Sequence, residues 1–352
     1  MKIILLLILF FLLIIFPSSA LSNFSSLDYL VRGKKDLDSG NYALAEHNLT
    51  KALQEFKDIG DYILLWRAKA YVEMGKYEEA LKDLNEIMKN YSFTPLMKDV
   101  KRLNLSILKQ INSPTLLSAY HSYANEYPDD LEIKFQYAEY LKEKNQKEKA
   151  KKIFKEIFTT ASSYADKAEI ELSEEEITAE DLLKKAKALN NSYLFKKAEN
   201  YLSKALVKSK NKLNKEILWT LGYNLFMQKR YEESALIFKK INDSFWRGRA
   251  LLRAKDFATF EKEMQSFNKP EEQRMASLLI SYANFKRRTG NVSEGLEILK
   301  NVLNNYPSYQ EEALWYLGWT HYLAGNYNEA KRLFKELYNK YGSLKYLYWL
   351  ER

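Results

Sequence analysis

Cysteine is absent from this chain of 352 residues. That removes lipid attachment through a thioether, disulfide bracing, thiol catalysis and cysteine-based metal sites in one step. Glycine and proline are scarce, at 11 and 6 residues, too few for the many tight turns of an all-β protein. No glycine-rich phosphate loop and no serine elbow occurs. Three histidines, His47, His121 and His321, stand far apart with no Asp or Glu at ligand spacing, so neither a metal nor any other cofactor is expected.

What is present suits a helical chain. Hydrophobic residues make up 46% of the sequence and charged ones 29%, enough of both to bury a core and to argue against general disorder. Lys2 followed by the unbroken apolar run from Ile3 to Phe16, then Pro17 and Ser18-Ser19-Ala20, reads as a signal peptide over residues 1–20, cleaved after Ala20. The run is shorter than the roughly 20 residues a membrane span requires, which favours cleavage over the alternative of an uncleaved anchor at residues 3–16. The mature protein is therefore expected to be periplasmic or secreted, with no stable span once the leader is removed. The formal charge is +9; without Lys2, 54 Lys and Arg against 46 Asp and Glu leave +8. Such an excess is either a solvated surface or an attraction to anionic neighbours, and export makes nucleic acid an unsuitable target.

The strongest signal is self-similarity at a period near 34. Gly40-Asn41-Tyr42 with Ala45 recurs thirty-five residues later as Gly75-Lys76-Tyr77 with Ala80. Gly290-Asn291-Val292 with Gly295 recurs at the same distance as Gly325-Asn326-Tyr327 with Ala330. Each triplet reads as a turn between two helices, where glycine or asparagine accepts the positive φ that ends the first. Small residues are predicted to meet across each pair: Gly33, Ala68, Ala138, Ala186, Gly222, Ala283 and Gly318 on first helices, at position 8 of the unit. Their partners on second helices are Ala45, Ala80, Ala150, Ala198, Ser234, Gly295 and Ala330. One helical turn later stands a large apolar knob (Leu49, Leu84, Phe154, Leu202, Phe238, Leu299, Phe334), expected to fill the gap against the next pair.

On these residues the chain resembles the tetratricopeptide repeat family over about residues 26–342. The resemblance implies an all-α solenoid of antiparallel helix pairs following the signal peptide. Seven units are legible, with two irregular stretches at 95–127 and 243–270 read as degenerate repeats. A break is expected at Thr159 to Ser173, before the acidic run Glu174-Glu175-Glu176 and an N-cap at Thr178 with Asp181. It separates N-terminal repeats at 21–160 from C-terminal repeats at 174–352.

The stretch Glu311 to Trp319 and the segment Tyr348-Trp349-Leu350-Glu351-Arg352 are also similar to the helical superhelix of soluble lytic murein transglycosylases. That resemblance implies a lysozyme-like catalytic domain beyond Arg352. Glu233-Ser234 imitates the family's catalytic glutamate and serine, but it falls on a second helix with Ser234 at the small packing position, and no Gly-Leu-Met-Gln follows. No catalytic residue is assigned. The chain is expected to be a non-catalytic scaffold, with the scaffold portion of a truncated or split transglycosylase acting on peptidoglycan as the alternative.

In the repeat family, positions 5, 9 and 12 of the first helix line a concave groove. Here they place Trp219, Tyr223 and Phe226 in one unit and Trp315, Trp319 and Tyr322 in the last. Lys34, Lys69 and Lys187 occupy position 9 of earlier units, and Arg287 position 12 of another. Two readings stand open. The aromatics pack against neighbouring helices, or they offer stacking faces beside lysines that suit carboxylates, for a protein partner in the cell envelope or for peptidoglycan. A clamp for chain-terminal carboxylates, which some family members build with asparagine at position 9, is not expected where lysine stands there.

Overall fold

The computed structural model describes residues 20–209, 212–264 and 273–352. Apart from Ala20, where the first described helix begins, the expected signal peptide lies outside the described residues. Helices account for the ordered structure, and no strand occurs among the described residues. The first pairs are α1 (Ala20–Asp38) with α2 (Tyr42–Glu55), and α3 (Gly60–Glu73) with α4 (Tyr77–Asn90). Next come α5 (Met97–Gln110) with α6 (Leu116–Glu126), α7 (Leu131–Glu143) with α8 (Lys147–Phe158), and the lone short helix α9 (Ser163–Ile170). Then follow α10 (Ala179–Asn191) with α11 (Phe195–Lys208), α12 (Lys212–Met227) with α13 (Tyr231–Lys240), and α14 (Ser244–Ala254) with α15 (Phe257–Met264). The last pairs are α16 (Met275–Arg288) with α17 (Val292–Asn305), and α18 (Gln310–Leu323) with α19 (Tyr327–Tyr341), followed by α20 (Leu344–Glu351). The architecture is a tetratricopeptide-like α-solenoid.

One backbone device closes every pair. The residue seven places after position 8 takes a left-handed conformation at Gly40, Gly75, Asn112, Asn145, Tyr193, Lys229, Lys255, Gly290 and Gly325. The next amide then reaches back five residues, from Asn41 to the Asp36 carbonyl at 2.8 Å and likewise from Asn326 to His321 at 2.9 Å. Carbonyls that the ending helix would leave bare are thereby satisfied. The two irregular stretches close in the same way, at Asn112 and Lys255, and each holds a helix pair.

All fourteen small residues predicted to meet across the pairs are buried. Gly295 approaches so closely that a Cβ added there would lie 2.8 Å from the Ala283 carbonyl oxygen, and Ser234 Oγ donates to the Gly222 carbonyl at 2.8 Å. The knobs differ from expectation in one respect. Leu49, Phe238 and Phe334 lie directly on Gly33, Gly222 and Gly318 of their own pairs, where a Cβ would meet them at 2.8–2.9 Å. Each knob thus locks its own pair, because glycine leaves a dimple that a buried side chain fills. Phe238 and Phe334 also reach forward, to Trp246 and Trp349 at 5.7 and 6.3 Å between ring centroids.

The chain divides into two compact units. One runs to Phe158 and includes Ser162–Leu172; the other comprises Thr159–Ala161 and Ser173–Arg352. The stretch 159–173, read as a break, contains α9, whose Ala165 and Ala168 are fully buried. Thr178 and Asp181 form a reciprocal capping box at the start of α10, as their spacing predicts. No helix among the described residues is long and apolar enough to cross a membrane.

Candidate functional site

Two aromatic ladders dominate the first-helix face of the second unit. On α12 the Trp219 and Tyr223 rings stack at 5.7 Å and 4°, with Phe226 one turn further. Trp246 from α14 stands edge-on to all three, at 5.8, 5.4 and 5.5 Å. On α18 the ladder is Trp315, Trp319 and Tyr322, stacked at 6.2 and 5.6 Å. Trp349 from α20 stands edge-on to it at 6.2, 4.8 and 5.5 Å. Both are the offset and edge-to-face geometries that aromatic rings prefer. The rings hold one first helix to the next. Trp219, at 37% exposure, keeps an open edge, and its Nε1 donates to Asp243 at 3.1 Å.

The four basic candidates are dispersed. Lys34 pairs with Asp38 and lies 5.6 Å from the Trp66 ring. Lys69 is exposed on α3, and Lys187 pairs with Glu216 on α12 at 2.6 Å. Arg287 differs, because it belongs to a concentration of charge. A pocket of about 570 Å³ lies among the first helices α14, α16 and α18 and the start of α15. Arg249 and Arg253 come from α14, Arg287 and Arg288 from α16, beside Asn284, Ser281 and Tyr316 over Leu252, Phe257, Leu278 and Phe285. Arg287 Nε and Asn284 Oδ1 are buried without a hydrogen-bond partner, an arrangement that native interiors rarely leave standing. Basic groups therefore gather in the C-terminal unit, where the sequence reading stressed aromatics.

Sequence reasoning missed Arg249, Arg253, Arg288, Asn284, Trp246 and Trp349. For α14 the register shows only in the backbone, where Lys255 takes the left-handed turn seven residues after Gly248. Aligned on Gly248 as position 8, Arg249 falls at position 9, as Asn284 does on α16.

Glu233 is bonded through both carboxylate oxygens to Arg230 at 2.6 Å. That contact, ahead of a smaller opposing effect of burial, holds its pKa below the usual carboxylate range. A general acid requires the reverse shift, and Ser234 is engaged in packing, its Oγ donating to the Gly222 carbonyl. No group of three or more His, Cys, Asp or Glu residues able to hold a metal occurs among the described residues.

Two models of the tetratricopeptide repeat family match the chain, at residues 36–102 and 312–343. Neither is a model of a transglycosylase. Among solved structures the chain is similar to yeast Tom70, at 15% identity over 93% of this chain and 88% of that one, with a TM-score of 0.35. It is also similar to the C-terminal part of a TPR repeat-containing protein from Cytophaga hutchinsonii (16% identity, 78% and 94% covered, TM-score 0.30). A third is MamA AMB-1 (14% identity, 63% and 92% covered, TM-score 0.26). No curated protein matches the chain.

Proposed function

We propose that this array of tetratricopeptide-type helix pairs is a non-catalytic scaffold, exported to the cell envelope, that holds a protein partner on the first-helix face of its C-terminal unit. The observation that supports this most is the pocket among α14, α16 and α18, left open and lined by arginines between helices that elsewhere pack tightly. A scaffold needs a rigid frame and an unfilled face, and a pocket of this volume is large enough to seat side chains of a bound segment. Cell-wall glycan is the less favoured occupant, because the rings that would stack on sugars are stacked on one another and on Trp246 and Trp349.

A photo-crosslinking amino acid at Tyr316, half-buried in the pocket wall, is expected to capture a discrete partner in the native cells. The same group at exposed Lys331 on α19 is expected to capture none. Equal capture from both positions, or none from either, removes the reading. Export is checked separately by sequencing the mature N-terminus, which is expected to begin at Leu21.

A further inference from the structure

We propose that the arginine pocket is a recognition site for an extended, internal acidic stretch of the partner, with carboxylate side chains at alternate positions and apolar residues between them. This rests on the scaffold reading and specifies its ligand.

The argument begins with charge. Arg249, Arg253, Arg287 and Arg288 share one pocket and make no ion pair among the described residues. Their neighbour Lys286 shows what neutralisation looks like here: it pairs with Glu261 and Glu294 at 3.0 and 2.7 Å. Four guanidinium groups brought together repel one another, so a pocket that keeps them is complementary to more than one negative charge. A single terminal carboxylate would leave most of that charge unanswered.

Geometry selects the form of the ligand. Arg249 and Arg253 are one turn apart on α14, a rise of about 6 Å. An extended chain presents side chains on one face about every 7 Å, so carboxylates at alternate residues match successive turns. Arginine forks suit carboxylates through paired N–H donors. The Arg249 guanidinium is already oriented, lying 4.5 Å from the Trp246 ring, and Arg288 is steadied by the Asn284 carbonyl at 3.2 Å. Arg287 Nε and Asn284 Oδ1 lie enclosed in the wall beside them, each without a partner. Phe257 and Phe285, stacked at 4.2 Å, form an apolar floor with Leu252. Their faces are spent on each other, which disfavours nucleic-acid bases as the occupant.

The test uses the mature protein and a labelled nonapeptide with Glu at alternate positions, Leu between them and an amidated C-terminus. Saturable binding is expected, with at least a tenfold loss when Gln replaces Glu in the peptide. Arg253→Gln with Arg288→Gln, two exposed positions, is expected to weaken binding at least tenfold with an unchanged melting temperature. Should that double variant melt early, Arg253→Lys with Arg288→Lys is measured instead, and it too must weaken binding. Equal affinity for the Gln peptide, or unchanged binding by the variants, overturns the proposal. So does inorganic phosphate or a single-stranded oligonucleotide displacing the peptide at lower concentration than the unlabelled peptide does. Persistence of the Tyr316 crosslink in a variant that has lost peptide binding overturns the acidic segment and leaves the scaffold standing.

Discussion

The turn residue is the smallest feature with consequences for the whole chain. Four of the nine closing residues are glycines, and these were legible because glycine and asparagine announce a left-handed turn. Tyr193 at φ 59° and Lys229 at φ 64° adopt the same conformation without that excuse, and local sequence offers no sign of them. Their left-handed backbone is imposed by the pairing of helices on either side. A side chain there costs about 1–2 kcal/mol relative to a relaxed backbone. Replacing Lys229 by glycine is therefore expected to stabilise the protein by about 1 kcal/mol or slightly less, since glycine also loses more freedom on folding; a urea melt reads the difference. Gly295→Ala is expected to do the opposite. Helix propensity favours alanine by about 1 kcal/mol, but the new methyl meets a backbone carbonyl at 2.8 Å. Carbonyls within a helix cannot step aside as a side chain can, so a net loss of about 1–3 kcal/mol is expected. His321 adds a pH dependence. Burial, opposed by Glu329, holds its imidazole below its ordinary value, and Nδ1 has no partner. The unfolded chain then binds this proton more readily than the folded one, so its contribution is present above about pH 6.5 and is lost as pH falls through the lower folded value. His321→Gln is expected to flatten the fall in stability between pH 7 and 5 relative to the parent.

At the scale of helices, the fold is held by contacts whose partners lie sixteen or more residues apart, and this is where the sequence was least readable. Arg67 on α3 forks onto Asp83 on α4 at 2.8 and 2.7 Å and donates to Thr50 on α2 at 3.0 Å. Arg247 on α14 makes the same sixteen-residue span to Glu263 on α15. This occurs in a pair that the small-residue pattern had marked only as irregular. Asn224, fully buried on α12, reaches back to the previous pair through the Asn190 side chain at 2.6 Å and the Phe195 carbonyl at 2.9 Å. Arg67 and Asp83 are 13% and 6% exposed. Asp83→Ala leaves the guanidinium buried and unpaired, at an expected loss of about 3–5 kcal/mol in chemical denaturation. The aromatic ladders teach a related lesson. Their residues could be named from position alone, but whether the rings faced a partner or a neighbouring helix depended on Trp246 and Trp349, and a residue's place in its own helix says nothing about what the next helix brings. Trp319→Ala removes the ring that lies closest to Trp349, at 4.8 Å, and is expected to cost about 3–5 kcal/mol, seen as a lower melting temperature before any effect on binding.

For the molecule as a whole, the repeat was legible because each unit re-expresses the same packing rule, so agreement among copies compensates for weakness in any one. Charge behaves differently. A net +9 can be counted from the sequence, but where it gathers depends on which basic groups find partners. Lys34, Lys187 and Lys286 are paired with carboxylates in the fold, whereas four arginines converge on one pocket. Two electrostatic effects should therefore separate in kinetics. The excess charge of the whole chain acts at long range, on the encounter, and weakens as the Debye length shrinks from about 30 Å at 0.01 M salt to about 8 Å at 0.15 M. The pocket acts at contact, in a partly dry site that salt reaches less, and sets how long the complex lasts. Stopped-flow measurement with the alternating Glu peptide is expected to show an association rate falling about tenfold or more across that range while dissociation changes little. The Arg253→Gln, Arg288→Gln protein is expected to keep most of the salt dependence of association and to lose the ligand faster. A dissociation rate that rises with salt as steeply as association falls would mean that the acidic segment stays on the solvated surface and never enters the pocket.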